Sequence, residues 1–198
     1  MASFLARFGT LRQWHWISSA LCLAGMLLFA VTGITLNHAG QIEARPSVHT
    51  LEEQMPEALL AQLDAPADAL PVDVRRWLER TVGKRLDWRS LEWSDEELYL
   101  PLPRPGGDGW LSVDLGSGEL LYEVTDRGWI AYFNDLHKGR HTGVLWSWFI
   151  DGFAVVCVVF SLTGLWLLVR QAGRQALTWP LTLAGALVPL LLMLLFIH

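Results

Sequence analysis

The stretch ISSALCLAGMLLFAVTGITL, residues 17–36, decides the fold, because it carries no charge along its whole length. A helix needs about 20 consecutive apolar residues to cross a hydrocarbon core. Two further runs qualify, Val144 to Val169 and Leu177 to Ile197. Arg7 and Arg12 precede the first run, as they would in a secretory leader. The run is longer than the usual leader core, and no small-x-small cleavage pattern follows it. Thr35-Leu-Asn-His38 reads as a helix exit, so we expect a permanent anchor.

Outward from that run, charge sets an orientation. Of the 20 Asp/Glu, all but Asp151 lie in the polar insert from Asn37 to Thr142, which therefore holds 19 acids against 11 Lys/Arg. The remaining bases are Arg7, Arg12, Arg170 and Arg174, and no acid accompanies them. Positively charged flanks stay in the cytoplasm. The N-terminus and the 170–176 loop are expected there, in a bacterial-type inner membrane, with the insert and the C-terminal His198 on the periplasmic side. The expected division is 1–36 for the cytoplasmic N-terminus and first helix, 37–143 for the periplasmic domain, 144–169 for the second helix, 170–176 for the loop and 177–198 for the third helix.

Composition excludes several classes. A chain that is 52% hydrophobic with 11 Trp is not an ordinary soluble domain. Cys22 and Cys157 both fall in apolar runs, so the insert has no disulfide framework, and both read as small packing residues. No CxxCH occurs for covalent haem attachment. There is no phosphate-binding Gly-rich loop, nucleophile elbow or zinc spacing, and the acidic insert argues against nucleic acid.

Within the insert, Leu51, Met55, Leu59, Leu60 and Leu63 have helical spacing, which predicts a helix over Leu51 to Leu63. Asp64-Ala-Pro-Ala-Asp68 predicts a loop. Pro71 and Gly83 bracket a second helix, Val72 to Val82. From Leu86 the character changes to strands: Leu91 to Trp93, Leu98 to Leu102, then Trp110 to Asp114 and Glu119 to Val124 joined by a tight turn at Leu115 to Gly118. Pro103 to Gly109 is a turn cluster. The domain is predicted to be α+β. Trp77, Trp88, Trp93 and Trp110 read as its core, and His49 as a surface residue.

The hairpin Ser112-Val-Asp-Leu-Gly-Ser-Gly-Glu-Leu-Leu121 resembles the signature of PepSY modules. Asn134-Asp-Leu-His-Lys-Gly-Arg140, Gly143, Trp146, Trp148, Ile150-Asp151, Ser161-Leu-Thr-Gly-Leu165, Trp14-His15 and Phe29-Ala-Val-Thr-Gly-Ile-Thr-Leu-Asn-His38 extend the likeness. Together they resemble the PepSY-associated transmembrane family, in its small three-helix type, from about Arg12 to Val169. The resemblance implies a membrane α-helical fold. Three transmembrane helices would carry an extracytoplasmic α+β PepSY-like domain inserted between the first and second. Larger relatives include inner-membrane ferric-siderophore reductases that hold haem b through membrane histidines.

The histidines are read against that background. His15 and His38 are 23 residues apart, so about 34 Å separates them along a helix, and one chain cannot join them at one metal. His38 with His137 is the first choice for an outer haem site, with His141 as the alternate ligand. If the second helix extends back to His137, then His137 and His141 share a face at i, i+4. His15 has no partner histidine at its own membrane face, and an inner haem there would be shared between subunits. Trp14, Trp16, Trp146 and Trp148 would line such slots. Lys138 and Arg140 would meet haem propionates or an anionic ferric chelate. The plain alternative is that these His, Lys and Arg residues are interfacial anchors. Asp151, a carboxylate inside an apolar run, needs a partner and either fixes the bundle or tunes a proton or ligand. Thr32, Gly33, Thr163 and Gly164 read as small residues for close helix packing.

The expected function is electron transfer through one haem b per chain toward periplasmic ferric iron or ferric-siderophore, with an external electron donor and a ferric chelate as substrate. A second, inter-subunit haem at His15 would accompany a homodimer or a larger reductase or uptake complex. The other reading is a non-enzymatic accessory or binding subunit of an iron-uptake assembly.

Overall fold

Thr10 sets where the first helix begins. Its N–H donates to Gln13 Oε1 at 2.7 Å, and the Gln13 N–H donates back to Thr10 Oγ1 at 3.3 Å, forming a capping box. In the computed structural model, which describes residues 9–43, 45–63 and 70–197, helix α1 therefore spans Leu11–Asn37. It starts six residues before the apolar run and takes Trp14 and His15 into the helix. Arg7, the Asp64 to Asp68 loop and His198 lie outside the described residues.

The described chain divides into two compact units. One comprises the residues up to Leu28 and those from Trp148 onward; the other is Phe29–Ser147.

In the Phe29–Ser147 unit, the expected helix over Leu51 to Leu63 is replaced by strand β1, Ser47–Gln54, followed by a single turn, α2, Glu57–Leu60, and a 3-10 turn at Ala61–Leu63. Pro56 is the physical reason. The residue before a proline is pushed out of the helical region, so no helix can run through Met55. The chain pairs with a sheet edge instead and still buries Met55 and Leu63. Helix α3, Val72–Val82, follows the sequence closely. Gly83, at φ 76°, closes it by donating its N–H to Glu79 O at 3.0 Å. The Leu86 N–H and the Trp88 indole both donate to Glu79 Oε1 at 3.2 Å, which holds that carboxyl below its ordinary range.

Strands β2 (Glu92–Trp93), β3 (Glu97–Pro101), β4 (Gly107–Asp114) and β5 (Glu119–Asp126) complete an antiparallel sheet of order β1-β5-β4-β3-β2. The predicted hairpin is β4–β5, with Val113 opposite Leu120. β4 begins three residues earlier than expected, inside the glycine-rich turn cluster. Asp114 shapes the hairpin turn by accepting from the N–H groups of Gly116 and Ser117, and the Ser117 contacts hold its carboxyl low. Alternate residues Leu98, Leu100, Leu111, Val113 and Leu120 are buried with Val74 and Leu78 of α3. Trp77, Trp88 and Trp93 pack against this core, and Trp110 stacks on Tyr99 with centroids 6.3 Å apart. On β1 every residue is exposed except half-buried Leu51.

A helix the sequence reading did not separate, α4, spans Gly128–Lys138. It is tied to the sheet at Gly106, whose N–H donates to Asp135 Oδ2 at 2.8 Å. A Cβ on Gly106 would lie 2.7 Å from Tyr132 Cα, so only glycine permits this approach. Gly139, at φ 66°, ends α4, and the chain passes through His141 (φ 56°) and Gly143 (φ 79°) before α5 starts.

Helix α5, Val144–Gln171, and helix α6, Thr178–Phe196, match the second and third apolar runs. With α1 they are three helices long and apolar enough to cross a membrane. In the first unit, α1 meets α5 at Gly25, where a Cβ would fall 2.4 Å from Phe153 Cε2. Cys22 is fully buried on the same helix, as expected of a packing residue.

Candidate functional site

His137 projects from the last turn of α4 onto α1. Its Nδ1 lies 2.6 Å from Thr32 Oγ1, and Phe29 tilts against its ring with centroids 4.8 Å apart. Gly33 supplies the remaining wall, since a Cβ there would stand 3.8 Å from His137 Cε1. Next to this contact, the Thr35 hydroxyl reaches Asn134 Oδ1 at 2.6 Å. Burying polar side chains is unfavourable unless they are hydrogen-bonded. Among the described residues the buried polar side chains are Ser18, Thr32 and Asn134, so two of the three belong to this joint.

In the other unit, His15 of α1 meets α5 in the same manner. Its Nδ1 lies 3.0 Å from Thr163 Oγ1, and its ring stacks on Phe160 at 4.9 Å and 13°. Gly164 is tighter than its counterpart, with a Cβ there placed 3.1 Å from His15 Cε1.

The two arrangements use one local pattern. Phe29-Ala-Val-Thr32-Gly33 and Phe160-Ser-Leu-Thr163-Gly164 are both Phe-x-x-Thr-Gly. On a helix, residues at i, i+3 and i+4 share a face. An aromatic ring, a hydroxyl and a bare backbone therefore form a cradle for one imidazole. In each cradle Nδ1 is engaged, and Nε2 has no hydrogen bond among the described residues. The four small residues, read from sequence as packing positions, thus define where each histidine sits. The repeat was visible in the sequence, but which histidine each copy receives depends on long-range pairing.

The remaining candidates lie outside the cradles. His38 is exposed, and its Nδ1 contacts the Ile34 carbonyl of its own helix at 3.0 Å. It stands just past the end of α1, in the turn that follows Asn37. Among the described residues no hydrogen bond or ring contact joins His38 to His137. His141 is not on a helix with His137. It lies in the glycine-bounded linker, exposed, and accepts from Arg140 Nε at 3.2 Å. Lys138 and Arg140 are exposed. Trp146 is engaged rather than lining a slot, its indole donating to Leu136 O at 2.9 Å. Trp16 and Trp148 are exposed. Asp151 is exposed and joins no ion pair among the described residues. A surface hollow of about 340 Å³ lies among Arg104, Asp126, Trp129 and Tyr132, but its arginine is already bonded to Asp126 at 2.6 Å.

Among the described residues no group of three or more His, Cys, Asp or Glu side chains converges, so no chelating cage is built. Haem iron asks less of the protein, one imidazole nitrogen on each axial side. An imidazole fixed through Nδ1 with a free Nε2 has the donor chemistry for that position.

Compared with known proteins, the chain matches the PepSY_TM-like family over residues 6–198. No curated protein and no solved structure matches it.

Proposed function

The chain belongs to the PepSY_TM-like family, and on that premise we propose that it is a haem b protein of the bacterial inner membrane that passes electrons to ferric iron or a ferric-siderophore complex on the side of the insert. The observation that carries this reading is the pair of histidine cradles. A histidine acting only as an interfacial anchor snorkels toward water. His15 and His137 instead turn onto helices and are held by hydroxyl, glycine and aromatic ring. Haem bound there would supply one-electron chemistry, which no side chain of this protein offers.

In this reading His137 and His15 would each hold haem iron through Nε2. A second copy of the chain would supply a further imidazole, because neither cradle receives one from its own unit. Lys138 and Arg140, exposed beside the end of α4, would balance propionates or attract an anionic chelate. The electron donor is external, since no flavin or nicotinamide motif occurs.

A reduced-minus-oxidised optical spectrum of the detergent-purified chain, expressed with ample haem, tests this. Sharp α and Soret bands are expected, with loss at His137→Ala and weakening at His15→Ala. A spectrum free of haem bands overturns the proposal and leaves both histidines as helix-packing posts.

A further inference from the structure

The hydroxyl of Thr163 has one proton and two kinds of neighbour. It lies 2.7 Å from Val159 O and 3.0 Å from Phe160 O, both carbonyls of its own helix and both acceptors only. It also lies 3.0 Å from His15 Nδ1. A carbonyl cannot donate, so the hydroxyl proton goes to the carbonyls and the Oγ1 lone pair is left to receive an N–H. Thr32 repeats the arrangement, with Phe29 O at 3.2 Å and His137 Nδ1 at 2.6 Å.

We infer that Thr32 and Thr163 are positioning residues that hold His137 and His15 in the Nδ1–H tautomer, with the Nε2 lone pair left free as a metal-ligating atom. The inference deepens the haem reading and rests on it for the identity of the metal, but the tautomer itself is a property of the haem-free chain. A neutral imidazole has one N–H, so fixing it at Nδ1 fixes the lone pair at Nε2. The alternative tautomer would need the threonine hydroxyl to donate to Nδ1, giving up its carbonyl bond inside an apolar helix pair where that bond is not easily replaced. Stacking on Phe160 and tilting against Phe29 limit ring rotation and so keep Nδ1 at the hydroxyl. Outer partners of this kind orient ligand histidines and raise their basicity.

Two readouts separate this inference from the function it builds on. Histidine-selective ¹⁵N NMR of the full-length haem-free chain, assigned by replacing each histidine in turn, reads the tautomer directly. Nδ1–H signals are expected for His15 and His137. Thr163→Val and Thr32→Val keep the shape but remove the hydroxyl, so the matching signal should be lost. Thr→Ser at either site should restore it. In haem-loaded protein the valine variants should retain haem while the midpoint potential rises, because a less basic imidazole favours ferric iron less. Nε2–H signals in the wild type, or valine variants that leave tautomer and potential unchanged, overturn the inference. Nδ1–H signals in a chain that takes up no haem would sink the haem reading and leave the positioning role intact.

Discussion

Asp87 is the residue whose charge its neighbours set most firmly. The Arg89 side chain and then the Arg89 N–H bond its carboxylate and bring its pKa down to about 2. A carboxylate lowered on folding stabilises the fold above its unfolded value of about 3.9, and that contribution is lost as pH falls through the folded value. Thermal melts of wild type and Asp87→Asn should therefore differ above about pH 4 and converge near pH 2. The difference should be small, because the pair is exposed and screened by solvent. The histidines behave differently at this scale. His15, His38, His137 and His141 were all legible as candidates, because imidazoles at the ends of apolar runs are uncommon. Their ranking was not legible. The His38 ring lies close to the first run and contacts the Ile34 carbonyl, while His15 and His137 meet Thr-Gly pairs 148 and 105 residues away in sequence.

At the scale of elements, the long helices, α3 and the β4–β5 hairpin were readable because each carries a local signal: unbroken apolarity, the Pro71 and Gly83 brackets, and the Gly-Ser-Gly turn. β1 was misread because Leu51 and Met55 fit a helical period as well as a strand, and Pro56 was given too little weight. α4 received no assignment from the sequence beyond the conditional extension of the second helix back to His137, and the positive φ at Gly139, His141 and Gly143 shows where the two helices part. Helix pairing is the part of the fold that local signals do not encode. At the α1–α5 contact, Gly25→Val should place a branched side chain into Phe153 and destabilise the pair by about 1–3 kcal/mol, as overpacking commonly does. Thermal unfolding in detergent would register it, and Phe153→Ala should relieve the clash. A Gly25→Val variant as stable as wild type would mean that the two helices do not meet there.

For the whole molecule, orientation is the property most open to a direct check. Asp95 lies on an exposed turn of the insert and Gln175 in the short loop before α6. In intact cells a membrane-impermeant maleimide should label Asp95→Cys, whereas Gln175→Cys should react only after permeabilisation. The reverse pattern would invert the topology and place the insert in the cytoplasm. Of the two native cysteines Cys22 is buried and Cys157 half-buried, so both are replaced by alanine in the background used. The edges of the sheet have a further consequence. An edge strand offers unpaired backbone groups to any neighbouring strand. β1 is such an edge, wet on both faces, and it carries Glu52 and Glu53 near its end. The far edge, β2, is two residues long. Two copies meeting edge to edge would set carboxylates near carboxylates on one side and find almost no ladder on the other. The sheet's own edges thus work against fibrous stacking of one domain on another.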